Sequence, residues 1–396
     1  MRLAICFDRF GPYHMARLNS AASHGKVLGV EYHAETTEYA WEHVAHSSRF
    51  ERVTLFGGAR NTDHGTRCLR DVIARNLDHF RPDVVAIPGW ASREALATIS
   101  WCLSRNCPAI LMSETQANDE TRRYWKESIK RRLTRLFSSG LVGGASHANY
   151  LVALGMPRNR VFSGYDAVDN DYFKSGTDAC REAATEWRLR LNLPANYFLA
   201  SARFITKKNL GRLLAAYAAY QRAAREQAWH LVLLGDGPLR GELEQLRSKF
   251  KITDWVHLPG FVQYDLLPTY YALARAFVHA STTEQWGLVV NEAMAAGLPV
   301  LVSNRCGCVG ELVREGVNGF TFDPNDTDAL TRHLSAFASA ESDLSLLGQA
   351  SRNLIAQWSP DAFGTGLSQA ADVALSLPRP RPNPFDKALL WTLMQR

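Results

Sequence analysis

The sequence predicts an α/β chain made of two doubly wound domains in tandem, each a parallel sheet with helices on both faces. Three observations predict this class. The 396 residues exceed the roughly 100 to 200 of one domain. Short apolar runs alternate with helical stretches of about 10 to 15 residues, the rhythm of a parallel sheet crossed over by helices. The rhythm breaks at the polar segment YDAVDNDYFKSGTDA (165–179) and restarts at YFLASAR (197–203).

In the first half the pairs are LAICF with HMARLNSAAS, RVTLF with TRCLRDVIARNLDHF, DVVAIPG with SREALATISWCLS, AILMS with a basic helix, LVGG with HANYLVALG, and finally RVFSG. These make one Rossmann-like domain, residues 1–175. A helical CREAATEWRLRLNLP opens the second, residues 176–376. It continues as YFLASAR, KNLGRLLAAYAAYQRAA, HLVLLG, PLRGELEQLRSKF, VHLPG, AFVHA, a helix from about Gly287, the strand PVLVS and further helices. RPRPNP (379–384) is a semi-rigid spacer before a short helix, FDKALLWTLMQR, so residues 377–396 form a tail. Ligands of such sheets lie beyond the carboxyl ends of the strands, which places the expected site in an interdomain cleft.

Composition narrows the class. Hydrophobic residues are 46% and charged residues 21%, with 27 Gly and 16 Pro, which excludes collagenous, disordered and coiled-coil chains. No apolar run approaches the roughly 20 residues of a membrane span. The first apolar run stops at Asp8, too short for a signal-peptide core, so the expected location is the cytoplasm, with peripheral contact at the inner membrane face. Seven cysteines form no paired-ligand spacing; Cys306 and Cys308, flanking Gly307, are read as small residues in a tight loop.

The net charge of +6 falls short of a nucleic-acid-binding balance, so no nucleic acid partner is expected. The segment 121–137 alone carries Arg122, Arg123, Lys126, Lys130, Arg131, Arg132 and Arg135 against Glu127. Trp125, Ile129, Leu133 and Leu136 recur there at helical spacing. Two readings stay open: the seam packs on the domain core, or the helix faces anionic lipid, at roughly 1 kcal/mol per basic residue.

The chemistry concentrates in HASTTEQWGLVVNEAMAAGLPVLVSN (279–304). Glu284 precedes a helix and Glu292 sits on it, so the two carboxylates bracket one extended ligand. The helix start offers the amides of Gly287, Leu288 and Val289 to an anion. Arg203 and Lys208 in SARFITKKN add two cations where the second domain opens its cleft, a set suited to a leaving diphosphate without metal. LLGDGP (233–238) supplies a turn at Gly235 and Gly237. Arg240 occupies the third position of a dinucleotide fingerprint, which argues against a nicotinamide or flavin enzyme. Asp169 and Asp171 are read as solvated turn acids, so neither a metal nor another cofactor is expected.

EQWGLVVNE resembles the Glu-x7-Glu signature of glycosyltransferase family 4, retaining enzymes of the GT-B fold. Arg203 and Lys208 match the family's R-x4-K element, residues 235–238 its G-D-G-P turn, and Gly307 with Glu311 its later loop. The likeness is strong over 197–330, looser over 140–173, and architectural over 1–135. It implies that Arg203 and Lys208 hold the diphosphate of a nucleotide sugar, that Glu292 accepts hydrogen bonds from the ribose, and that Glu284 orients the sugar. It further implies that the amides of Gly287 and Leu288 complete the cradle, that Gly260, Phe261 and Val262 lie against the base, and that Gly11 approaches the phosphates.

Two departures bear on the sugar: Glu114 stands where many relatives carry a His, and Trp286 where a Phe is usual. His14 is a further acceptor contact under this reading, whereas His147 is read as a helix-start residue. The implied activity is retaining transfer from a nucleoside diphosphate sugar, of UDP or GDP type, to a glycan or lipid-linked acceptor in polysaccharide or glycolipid synthesis. A nucleotide-sugar 2-epimerase of the same fold and a non-catalytic donor-binding partner subunit remain the alternatives.

Overall fold

The computed structural model describes residues 1–35, 49–59, 65–339 and 343–395. The first sheet comprises β1 (Arg2–Phe7), β2 (Lys26–Glu35), β3 (Glu51–Ala59), β4 (Val84–Pro88), β5 (Ala109–Ser113), β6 (Ser139–Val142) and β7 (Val161–Ser163), in the order β3-β2-β1-β4-β5-β6-β7. The second comprises β8 (Tyr197–Ser201), β9 (His230–Leu234), β10 (Val256–Gly260), β11 (Ala276–His279), β12 (Val300–Ser303) and β13 (Gly319–Phe322), in the order β10-β9-β8-β11-β12-β13. All pairings are parallel. Strand order reverses between β1 and β4 and again between β8 and β11. Those are the switch points where a doubly wound sheet opens at its carboxyl edge.

Most strands are continuous apolar runs because helices cover both faces. Leu3 to Cys6 in β1 and Val300 to Val302 in β12 are wholly inaccessible. The pattern reading omits two strands, each for a definable reason. In β2 the run is interrupted by Gly29, Glu31 and His33. A Cβ on Gly29 would meet the Phe50 ring at 2.9 Å, and the buried Glu31 takes the Phe10 amide and Arg52 instead of facing water. In β13 the first residue is Gly319, whose Cβ would lie 1.8 Å from the Val300 carbonyl oxygen, so no side chain fits there.

The chain divides into one unit of Met1–Val168 with Trp358–Arg396 and another of Asp169–Gln357. Both expected domain boundaries therefore shift. The polar segment near residue 175 is the helix Asn170–Glu182, capped where the Asp169 carboxylate accepts the Tyr172 amide, and it buries Phe173 against the rings of Tyr264 and Tyr271. The helix Pro360–Ser376 belongs to the first unit. Phe363, Leu367 and Ala370 close the core around Leu3 and Ile5, and Gly364 and Gly366 let its backbone approach Ser20 and the Ser163 carbonyl.

The basic segment forms the helix Tyr124–Thr134, but its apolar seam is only half buried. Leu133 and Leu136 enter the core and Ile129 packs on it, whereas Trp125 stays 53% exposed. Four of the cations are paired locally, with three acids. Lys130 pairs with Glu120 and Glu127, Lys126 with Glu120, Arg122 with both acids, and Arg132 with Asp386. Arg123, Arg131 and Arg135 remain exposed. Among the described residues, no helix is long and apolar enough to cross a membrane.

Candidate functional site

In the second unit the carboxyl edge at the β8/β11 switch point gathers most of the charged residues singled out above. After β8 the chain runs through a turn of 3-10 helix, Thr206–Lys208, to Asn209 in the left-handed region. The Asn209 side-chain amide donates to the carbonyls of Ala280 and Pro324, at 3.2 and 2.8 Å. The Thr282 amide donates to the Lys207 carbonyl at 2.8 Å. The loop after β8 is thereby stitched to the loop after β11.

That stitching brings Lys208 onto Glu284 as an ion pair. Lys207 approaches the other carboxylate oxygen at 3.7 Å. The Ser281 hydroxyl donates to Glu284 at 3.3 Å, and the His279 Nε2 lies 3.5 Å from it. Burial by itself would raise the Glu284 carboxyl. The His279 hydrogen bond and the Lys208 charge outweigh it and hold the group well below the usual carboxylate range. Burial lowers His279 in turn, against the Glu284 hydrogen bond that raises it. From below, Gly307 donates its amide to the Glu284 carbonyl at 3.0 Å, and Glu284 bridges to Cys306.

The helix Leu288–Ala295 starts beside this pair. Its cap, Gly287, has φ +110, a conformation that L side chains rarely adopt, while a Cβ there would meet nothing closer than 3.5 Å. Glycine is required by the backbone turn and not by lack of space. The Val290 amide closes onto the Gly287 carbonyl at 2.8 Å. Leu288 and Val289, at the first two helical positions, lie before the point where an intrahelical acceptor exists, so their amides face outward from the positive end of the helix. One turn on, Glu292 is 1% exposed and accepts the Tyr271 hydroxyl at 2.6 Å.

Gly235 and Gly237 are required sterically, since Cβ atoms would lie 1.9 Å from the Ala202 oxygen and 2.8 Å from the Phe204 oxygen. Gly260, also in the left-handed region, ends β10; Phe261 beyond it is 39% exposed and Val262 is buried.

Three expectations change. The Arg203 side chain is exposed and is not drawn onto the glutamates with Lys208. Trp286, expected near the sugar, is 1% exposed and donates its indole N–H to Asn291 at 2.9 Å, so it anchors the helix from beneath. Gly11 keeps an ordinary extended φ of −124 and gives its amide to His14 Nδ1 at 3.0 Å, so it caps the helix Pro12–Ala21. Burial, aided by Arg17, pushes His14 down to about 3. His147 is fully buried and accepts the Gly144 amide in the same manner. Glu114 lies in the first unit just past β5.

Sequence reasoning missed Lys207, Asn209, His279, Ser281 and Tyr271. His279 ends β11 and Ser281 follows two residues on, both close in sequence to Glu284 and legible by that proximity. Tyr271 reaches Glu292 from a different helix, and no local pattern signals it.

Residues 183–354 match the model of the family Glycosyl transferases group 1. The chain is 29% identical over 213 residues to the O-antigen chain mannosyltransferase B of Escherichia coli, covering 54% of each chain. It is 29% identical over 163 residues to the α-monoglucosyldiacylglycerol synthase of Acholeplasma laidlawii, covering 41% of this chain and 40% of the relative. The chain thus spans only part of the length of these two relatives. Among solved structures, Anabaena HepE in complex with UDP-glucose superposes with a TM-score of 0.69 at 16% identity, over 95% of this chain and 100% of that one. The architecture is therefore the GT-B fold, and residues 183–354 of it are similar to the glycosyl transferases group 1.

Proposed function

We propose that the protein is a glycosyltransferase that moves a sugar, with retention, from a UDP- or GDP-type nucleoside diphosphate sugar to a glycan or lipid-linked acceptor. One observation carries the reading: Lys208 is paired with Glu284 at the switch point, beside the outward amides of Leu288 and Val289. A preorganised cation and two peptide dipoles are what a departing diphosphate needs as charge builds on its oxygens. Glu284, held ionised, offers hydrogen-bond acceptance to sugar hydroxyls, and Glu292 does so for a ribose one turn along the helix. Arg203, free in the unliganded chain, closes on the phosphates when they arrive. Neither a metal nor another cofactor takes part in this reading, so EDTA leaves turnover unchanged.

The relatives support the substrate class: one is named for mannosyl transfer in O-antigen synthesis and one for a glycosyl diacylglycerol, while the Anabaena structure holds UDP-glucose. The first unit's exposed Tyr124, Trp125, Arg123, Arg131 and Arg135 support docking at an anionic membrane face. Unchanged flotation with anionic liposomes after the three arginines are neutralised counts against that docking.

A thermal-shift panel of UDP, GDP, ADP and their sugars tests donor binding, since a ligand selective for the native state raises its stability. Purified protein with a stabilising donor then reports transfer, hydrolysis, or release of an isomerised nucleotide sugar. The last outcome replaces this reading with the epimerase, and binding without any turnover replaces it with the non-catalytic subunit.

A further inference from the structure

The amino edge of the second sheet, opposite the candidate donor site, carries an open cavity of about 600 Å³ that the proposed function leaves unused. It lies wholly within the second unit. The helix Ala184–Leu191, the entry to β11, the turn from Gly297 into β12 and the helix Leu344–Ile355 surround it. The two edges of a parallel sheet are a strand length apart, about 13 Å for the four residues of β11, so this place is distinct from that of Lys208 and Glu284.

Four arginines line it: Arg181, Arg188, Arg275 and Arg352. Among the described lining residues the only acid is Asp343, whose carboxylate is already engaged, accepting the amides of Ser345 and Leu346 at 3.1 Å. Outside the lining, Asp178 is shared: its Oδ1 takes Arg181 Nη1 at 3.0 Å and Arg352 Nη2 at 2.6 Å. We propose that this cavity is a binding site for a soluble phosphorylated small molecule, separate from the donor site.

Part of the arginine set has a structural use. Arg181 Nη2 donates to the Ala296 carbonyl at 2.6 Å, and Arg352 Nη2 lies 3.4 Å from the same oxygen. They cap the carbonyl end of the helix Leu288–Ala295, where the helix dipole favours positive charge. One cation would serve that end, and the second is kept beside the first at an electrostatic cost. Burial, and then the Arg352 charge, hold the Arg181 guanidinium below its ordinary value in spite of Asp178.

Arg188 and Arg275 have no such use. Arg275 is exposed, with its guanidinium over the Trp229 ring at 5.7 Å, and Arg188 donates once, at 3.3 Å, to the Ala195 carbonyl. Neither meets a carboxylate among the described residues. The Nε groups of Arg188 and Arg352 are buried without an acceptor.

Four arginines against Asp178 and Asp343 leave two positive charges over, the complement of one phosphate monoester dianion. Arginine presents a planar fork that clamps phosphate oxygens bidentately. Most of the lining surface is polar, which suits a hydrophilic ligand and not an acyl chain, and the volume is that of a small-molecule site.

The test uses the full chain, with inorganic phosphate and glucose 6-phosphate as probes and glucose and salt-matched sodium chloride as references. Amide hydrogen exchange locates binding: either probe should protect peptides spanning 184–191 and 344–352, and the references should not. Arg188→Gln combined with Arg275→Gln should abolish that protection. By calorimetry it should raise the dissociation constant about tenfold, the scale of one lost charge-assisted hydrogen bond. Lys208→Ala should leave both readouts unchanged.

Protection by neither probe overturns the proposal. So does binding that Lys208→Ala weakens and the double variant does not, which assigns the phosphate affinity to the donor site. Vesicles containing phosphatidic acid test a lipid headgroup: protection of these peptides by vesicles and by neither soluble probe overturns a soluble ligand. If the double variant does not fold, Arg275→Gln alone, at an exposed position, is read by the same criteria. Failure of the wild-type protein to turn over any nucleotide sugar sinks the glycosyl-transfer reading and leaves each of these outcomes standing.

Discussion

The carboxyl edges of the two sheets share one topology and carry opposite electrostatics. At the β8/β11 switch point, the cations Lys207 and Lys208 surround an ionised Glu284. At the first sheet's edge, burial does the reverse: it lowers His14 and raises Asp166, disfavouring the charged form of both. The fold supplies the place in both, and burial and local charge balance set the ionisation of the side chains there. Under the proposed function, the second edge needs strong, fixed charge, because charge would develop there as a diphosphate departs.

Each of the following perturbations breaks or sharpens that contrast. The largest effect is expected for Trp286→Ala, which empties a buried site under the donor helix and removes the bond to Asn291. It should cost about 3 to 5 kcal/mol of stability by chemical denaturation, as other buried aromatic deletions do. A loss below 1 kcal/mol would return Trp286 to the sugar pocket. Next comes Lys208→Ala, expected to lower kcat by about two powers of ten, or about 2.7 kcal/mol, with the fold preserved.

Glu292→Gln should weaken nucleotide binding by about tenfold with the fold preserved, because Tyr271 can still donate to the amide oxygen. Equal affinity in the variant would separate Glu292 from the ribose. Arg203→Ala should cost less than Lys208→Ala, about tenfold in kcat/KM, since no bond among the described residues preorganises it. Parity of the two variants would mean that Arg203 closes as completely as Lys208 is already placed.

A further effect, silent at neutral pH, appears only on acidification. His14 titrates near 6.5 when unfolded and near 3 when folded, so the unfolded chain binds the extra proton in between. Its contribution to stability is complete above about pH 6.5 and is lost progressively as the pH falls toward 3. His14→Gln should flatten that part of the stability curve; an identical slope in the variant would show that the ring is charged in the folded protein. Glu284 has the carboxylate sign: its contribution is present above the unfolded value and is lost only as pH falls through its depressed folded value, at more acid pH than an ordinary glutamate.

Local pattern made several elements legible. β1, β8 and β12 are uninterrupted apolar runs, and the Gly287 cap with Glu284 and Glu292 around it is compact in sequence. The pattern failed where burial is polar or where glycine replaces a side chain, as at Glu31 in β2 and Gly319 in β13. It failed again where chain order and space diverge: helix Pro360–Ser376 follows the second sheet yet fills the core of the first. Asn170–Glu182 reads as polar boundary because only one face of that helix is apolar.

By itself the sequence determined the α/β class, the two sheets, and the spacing that sets Glu284, Glu292 and the helix start on one loop and helix, because those properties depend on residues a few positions apart. Tertiary structure decided which charges meet. Lys208 and Glu284 are 76 residues apart and pair only because β8 and β11 are neighbours at a reversal of strand order. Burial, which no short stretch of sequence encodes, likewise holds His14 below its ordinary value.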